Sequence, residues 1–217
     1  NPKSGHFAAI TDPAELGRLL AAFDSYRGTP VVRAALKLTP LLLVRPGELR
    51  HMQWADIDWD NATWIIPGDP TKKIKRDHVV PLATQSLATL GDLQTLTGNY
   101  RWAFPSARSI NRPMSENAVL GAMRRMDITK EEATAHGFRA TARTLLAEVL
   151  EYPTELIEHQ LAHRVRDATG EAYNRTQFLP QRRGMMKAWA DYLDTLRAGG
   201  CANPNSGTSI SVGMRRL

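Results

Sequence analysis

Between Ala55 and Leu82 the hydrophobic pattern changes period, and that change constrains the fold more than any other stretch. On either side of it, apolar residues recur at three- and four-residue steps, the spacing of amphipathic helices. Inside it, short β-branched and aromatic runs are separated by turn residues. Ile57-Asp58-Trp59 and Thr63-Trp64-Ile65-Ile66 flank an Asp60-Asn61 turn, which predicts a hairpin. Pro67-Gly68-Asp69-Pro70 reads as a loop and Lys72-Lys73-Ile74-Lys75-Arg76 as a basic turn. His78-Val79-Val80-Pro81-Leu82 then reads as a third strand. The expected class is therefore mainly α (α+β), a helical domain holding a small three-stranded antiparallel sheet.

The helical segments are marked by their ends. Asp12 before Pro13-Ala14-Glu15 is a good N-cap with a capping-box partner, and Leu16, Leu19, Leu20 and Phe23 share one face. Thr29-Pro30 opens a second helix through Ala34, Ala35, Leu38 and Leu42, in which Pro40 predicts a kink or an early stop. Arg45 precedes Pro46 and is pushed off helical geometry, so it projects from a junction where the next helix begins. A helix follows Thr84 and ends at Gly98-Asn99; Phe104 to Pro113 reads as a loop, and Ser115 caps a helix with Val119, Ala122, Met123 and Met126 on one stripe. Further helices carry Phe138, Ala142, Leu145 and Val149, then Leu156, Ile157, Gln160 and Leu161, and a short one covers Glu171 to Gln177. After Pro180 comes a last amphipathic helix with Met185, Met186, Trp189, Leu193 and Leu196. Residues 12–197 read as one domain, 1–11 as a linker from an upstream part, and 198–217 as a flexible tail.

Of the 217 residues 42% are hydrophobic, enough for a buried core, and the formal net charge is +6, which favours a polyanionic partner. The single cysteine, Cys201, rules out an internal disulfide framework and a cysteine-rich zinc site, and fits a reducing cytoplasm. No apolar run is long enough to span a bilayer, so no membrane partner is expected.

Chemistry concentrates in Gln160 to Arg175, where His163 stands ten residues before Tyr173 among Arg164, Arg166 and Arg175. A phenol titrates near ~10 and is a poor nucleophile at neutral pH, but cations favour the phenolate and hold an anionic substrate. Tyr173 is thus a candidate covalent nucleophile on a phosphodiester. His136 and Arg139, three apart near a helix start, are placed to receive a phosphate oxygen, although alone they read as a capping histidine and a surface arginine.

Four motifs bring these segments together. Val44-Arg45-Pro46-Gly47-Glu48-Leu49-Arg50, the Lys73 to Leu82 run, His136-Gly137-Phe138-Arg139-Ala140-Thr141-Ala142-Arg143-Thr144, and Gln160-Leu161-Ala162-His163 with Ala172-Tyr173-Asn174-Arg175 resemble the catalytic domain of tyrosine recombinases. The flanking residues resemble in particular the integrases of satellite phages, prophages and genomic islands. The resemblance implies site-specific recombination, through a 3′-phosphotyrosyl intermediate and without metal or ATP, that integrates or excises a mobile element. Tyr173 is then the nucleophile, Arg45 and Arg139 clamp the non-bridging oxygens, and His136 and His163 supply hydrogen bonds and proton handling. Glu48 orients Arg45. A lysine of the basic turn protonates the departing 5′-oxygen; composition leaves Lys72, Lys73 and Lys75 open, and the family pattern matches Lys73. Lys72, Lys75, Arg76, Arg143, Arg164 and Arg175 are expected DNA contacts. The implied partners are double-stranded attachment sites, a homotetramer on DNA and an excision or directionality factor, in a bacterial cytoplasm at the nucleoid. The family also implies upstream arm-binding and core-binding domains, and the tail is a candidate for docking on a neighbouring subunit.

Three rivals keep some of these residues. A type IB topoisomerase has a similar catalytic set, but the flanking residues favour an integrase. A DNA-binding module that has lost catalysis would not need the whole set. A metal hydrolase on His159 and His163 lacks the glutamate that follows the first histidine in zincins, since Gln160 stands there.

Overall fold

The computed structural model describes residues 9–68, 77–163 and 178–200. Helix α1 (Pro13–Ser25) is capped as its sequence predicts, with the Glu15 amide donating to Asp12 Oδ1 at 2.8 Å. Helix α2 (Pro30–Leu42) follows Thr29 and packs against α1 and, later in the chain, α4 (Thr84–Thr97), α5 (Ala118–Arg125), α6 (Gly137–Glu148) and α8 (Leu179–Arg197). Its C-terminal half is buried without a break from Leu38 to Leu42, because a helix surrounded by others has no solvent face to leave polar. Pro40 does not stop it at once. The helix runs two residues further and ends with Leu43 in the left-handed region at φ 59°. The Pro40 carbonyl there accepts from Trp189 Nε1 of α8 at 2.8 Å.

Two short helices follow in the chain, α3 (Pro46–Arg50) directly after α2 and α7 (Thr154–Gln160) after α6. The sheet has the predicted strands, β1 (Ile57–Asp58), β2 (Thr63–Ile66) and β3 (His78–Pro81), antiparallel in the order β1-β2-β3. Trp64 pairs with Val80, and both are buried, while β3 lies against α8. The segment 104–113, expected to be a loop, instead forms a second hairpin of β4 (Pro105–Ser106) and β5 (Ser109–Pro113). Its outer strand is mostly exposed, so no apolar alternation marked it. The next helix starts at Ala118, three residues past Ser115, whose Oγ instead accepts from the Asn117 amide.

Helices α1 and α8 approach so closely at Gly17 that a Cβ there would stand 2.4 Å from the Leu196 carbonyl oxygen. The contact brings the two ends of the described chain together. No helix among the described residues is long and apolar enough to cross a membrane.

Candidate active site

The site is built where two helices end and a third begins. Left-handed Leu43 turns the last carbonyls of α2 away from the helix axis, and Leu161 closes α7. Helix C-termini carry unsatisfied carbonyls and partial negative charge, so they attract a cation. Arg139, in the first turn of α6, fills that place. Its Nη1 donates to Leu43 O at 2.5 Å and its Nη2 to Leu161 O at 2.6 Å. The residue is only 5% exposed, which sets aside the plainer alternative of a surface arginine. The sequence shows a polar residue beside an apolar face; only the packing of α2 and α7 against that face buries it.

Arg139 Nη2 also lies 3.1 Å from His163 Nε2. A guanidinium only donates, so this ring nitrogen accepts, and the imidazole proton sits on Nδ1. That proton points to Glu158 Oε2 at 2.5 Å. Glu158 holds Arg143 Nε with its other oxygen, also at 2.5 Å. Burial pushes the Glu158 carboxyl up, but the hydrogen bonds from Arg143 and His163 outweigh it and leave it below the ordinary value. Glu158 was not among the expected site residues; it lies five positions before His163, and only the turn closing α7 brings the two together. Arg143, an expected DNA contact, keeps a half-exposed side chain while paired to it.

Arg45 caps α3 with extended backbone, φ −69° and ψ 144°, as its proline neighbour requires. Glu48, expected to orient Arg45, accepts from the Arg45 amide at 2.7 Å and from Arg45 Nη1 at 2.8 Å. His136 stands at the N-cap of α6 but does not cap it; Thr134 Oγ1 takes the Gly137 amide at 2.9 Å. The histidine side chain belongs to the arginine centre. Burial, then the charges of Arg139, Arg45 and His163, hold its imidazole below the ordinary histidine value. At neutral pH it is an uncharged hydrogen-bonding group.

The charges do not cancel. Glu48 answers Arg45 and Glu158 answers Arg143, but among the described residues no carboxylate forms an ion pair with Arg139. Burial, reinforced by Arg45, lowers Arg139 to about 10, against the opposing pull of Glu48 and Glu158. It stays protonated at neutral pH, held by the Leu43 and Leu161 carbonyls and the His163 ring nitrogen. A buried charge without a counter-ion costs several kcal/mol, and an incoming anion offsets part of that.

A second buried cation lies behind the first. Arg182, in the first turn of α8, donates from Nη2 to Val79 O and to Gln160 Oε1, both at 2.7 Å, and lies 3.3 Å from His78 Nε2. The sequence did carry a signal: Arg182 falls on the same stripe as Met185, Met186 and Trp189. Burial, then the charges of Arg182, Arg139 and Arg45, hold His78 at about 3, against a lesser opposing pull from the Gln160 backbone. Its Nδ1 has no partner at hydrogen-bonding geometry among the described residues. Because His78 charges only in the unfolded chain, stability falls as pH drops below about 6.5. Each unit of pH costs up to about 1.4 kcal/mol from this group. The half-buried His136 adds to the loss in the same direction. Thermal melts of wild type and His78→Gln between pH 7 and 5.5 should show a shallower slope in the variant; equal slopes would contradict the burial of a neutral ring.

Of the expected site residues, Arg45, Glu48, His136, Arg139, Arg143 and His163 are thus brought together. Tyr173, Lys72, Lys73, Lys75, Arg76, Arg164 and Arg175, and the short helix expected at 171–177, lie outside the described residues. His159, the other half of the rival metal pair, packs on Phe178 with ring centres 5.5 Å apart, while His163 turns to Arg139 and Glu158. No cluster of metal-ligating side chains occurs among the described residues.

A guanidinium at the meeting of two helix ends, with no carboxylate ion pair among the described residues, is a place where an anion would find a cation. The model of the Phage integrase family matches residues 10–179, and the chain belongs to that family, the tyrosine recombinases. It is 36% identical over 208 residues to the integrase of Enterobacteria phage P4, covering 90% of this chain and 47% of that protein. It is 38% identical over 172 residues to the prophage integrase IntZ of Escherichia coli K12, covering 79% and 42% respectively. The chain therefore spans about half the length of the curated relatives it matches. Among solved structures, the integrase of mycobacterium phage Brujita superposes with a TM-score of 0.63 at 16% identity, over 90% of this chain and 65% of that one. A lambda integrase tetramer bound to a Holliday junction gives 0.54 at 21% identity, over 80% and 52%.

Proposed function

We propose that the chain is the catalytic domain of a site-specific DNA recombinase that integrates or excises a mobile element. The observation that carries this reading is the buried Arg139, fixed by Leu43 and Leu161 and left without its own carboxylate, beside Arg45 and two histidines. Two of its five N–H groups are not used by Leu43, Leu161 or His163 and are available for phosphate oxygens. With Arg45 they answer the charge that builds on the pentacoordinate transition state.

In the proposed step, Tyr173 Oη attacks the scissile phosphorus. A P–O bond to tyrosine forms, the P–O5′ bond breaks, and the DNA 3′-phosphate remains on the enzyme. The phenolic proton passes to an imidazole of the site, that of His136, or that of His163 once its Nε2 gives up the Arg139 contact. Lys73 gives its proton to the departing 5′-oxygen. The phosphodiester energy is kept in the covalent bond, so resealing by a 5′-hydroxyl needs no nucleotide cofactor. Lys72, Lys75, Arg76, Arg164 and Arg175 add salt-dependent backbone contacts. Arg143 joins them if DNA draws it from Glu158. The lambda integrase named above is a tetramer on a Holliday junction; the same assembly, on two attachment sites and steered by a directionality factor, is the working state we assign here. Residues 12–197 form the catalytic domain, with the tail available to a neighbouring subunit.

The test is a nicked duplex carrying the junction sequence of the element that encodes the chain. The full-length enzyme should form a denaturant-resistant adduct in EDTA, and digestion should place the DNA on the peptide containing Tyr173. Attachment at another residue, or loss of the adduct with EDTA, would overturn the reading. Strand exchange between two sites, as opposed to relaxation alone, separates it from a topoisomerase.

A further inference from the structure

Two arginine-centred networks meet at the end of α2 and share its last carbonyls. Leu43 O goes to Arg139, as described. Leu42 O accepts from Gln160 Nε2 at 3.4 Å, and Gln160 Oε1 in turn takes two bonds from Arg182, at 3.1 Å from Nε and 2.7 Å from Nη2. Gln160 is fully buried and Arg182 is 6% exposed. Gln160 directly precedes Leu161, whose carbonyl holds Arg139. The same Arg182 fork reaches across to Val79 O and to His78, the first residues of β3.

Three segments are tied by that one side chain. β3 follows directly in the chain on the basic residues that include Lys73; α7 leads into His163; α8 begins six residues after Tyr173. Nothing in the proposed chemistry uses Arg182 itself, which faces a strand carbonyl and a glutamine, not the arginine centre. Yet placing a guanidinium in the core carries a desolvation cost that an apolar side chain does not. A planar fork with fixed donor directions sets distances between elements in a way that packing of methyl groups does not.

We propose that Arg182 is a positioning residue for recombination, pinning the β3 end of the lysine-bearing hairpin to the end of α7 that carries His163. It acts through the lysine's placement: with the pin removed, the hairpin keeps its strand pairing but its start drifts from α7, and proton delivery to the 5′-oxygen fails first. The inference rests on the reading of Lys73 as the general acid.

Chemistry gives a readout that general loss of structure does not move. If sulfur replaces the bridging 5′-oxygen of the scissile link, the departing thiolate needs no proton, because thiols are far stronger acids than alcohols. The full-length enzyme and its Arg182→Met variant should be compared on nicked attachment-site duplexes with the ordinary and the sulfur-bridged link. On the ordinary link the variant should cleave roughly 100-fold more slowly, the low end of a general acid's contribution. On the sulfur-bridged link it should lie within about fivefold of wild type, since no general acid is needed there. Equal slowing on both links, or slowing on neither, overturns the proposal. Lys73→Ala run alongside keeps the two readings apart: if it is slowed equally on both links, Lys73 is not the acid, whatever Arg182→Met does. Should Arg182→Met not fold, as judged by its melt, Gln160→Met removes the same pin from its acceptor side and is held to the same two outcomes.

Discussion

Arg139→Lys leaves adduct formation on nicked DNA at or below about a thousandth of the wild-type rate. The charge is kept, so electrostatic attraction for DNA survives and binding should change little. What is lost is the fork. Arg139 uses both terminal nitrogens of its guanidinium to hold Leu43 O, Leu161 O and His163, and in the proposed step its remaining N–H groups, on Nε and Nη1, go to phosphate. An ammonium is a point charge on a flexible stem; held by the two carbonyls it has little left to aim at the substrate, and aimed at the substrate it abandons them. Losing one preorganised donor to a developing oxyanion costs about 10²–10³ in rate, and here at least two go together with the contact that orients His163. Stability should fall as well, by about 1–3 kcal/mol, because buried helix-end carbonyls lose part of their donors. Single-turnover adduct formation, set against a thermal melt of the same preparation, separates the two effects. A variant rate within tenfold of wild type would remove Arg139 from the centre of the mechanism.

The second expected result is complete: Tyr173→Phe gives no adduct at all while binding attachment-site DNA as wild type does. The next phenol along the chain is Tyr192, buried against Trp189 with ring centres 5.9 Å apart, and desolvation pushes its pKa up. It is neither exposed nor ionisable enough to take over. Of the two histidines, His163 is turned to Arg139 and Glu158, and in the proposed step the proton it or His136 takes is that of Tyr173, so removing the phenol removes the nucleophile itself. The measurement is denaturing electrophoresis of labelled suicide substrate, with binding followed by gel shift. An adduct that persists in the variant sinks the phosphotyrosyl reading while leaving the arginine centre to be explained differently.

Much of the frame was legible because local rules were obeyed. Asp12 and Thr29 cap where their sequences predict, Pro46 opens α3, and the three strands of 57–81 pair in the expected order. The β4–β5 hairpin was not legible, since a strand such as Ser109–Pro113, with both faces mostly in water, has no periodic burial to betray it. Pro40 misled in part. A proline breaks a helix by losing a donor and crowding the preceding turn. Here the helix was about to end anyway, and Trp189 answers the carbonyl that the ending leaves free.

For the site, the residue types and their order along the chain determined the chemistry to be sought: forked cations, imidazoles, a lysine and a phenol, in a spacing shared by one family. That information is local and survives in a linear string. Burial and partnership are properties of contacts between residues far apart in the chain, and only the tertiary structure decided them. It put Arg139 inside, between the ends of α2 and α7. It gave His163 a carboxylate in Glu158. It also set Arg182 and Gln160 behind the centre as a fork joining β3 to α7. A guanidinium reads the same in sequence whether water or two helix ends solvate it, and that difference sets both its cost to the fold and its hold on a phosphate.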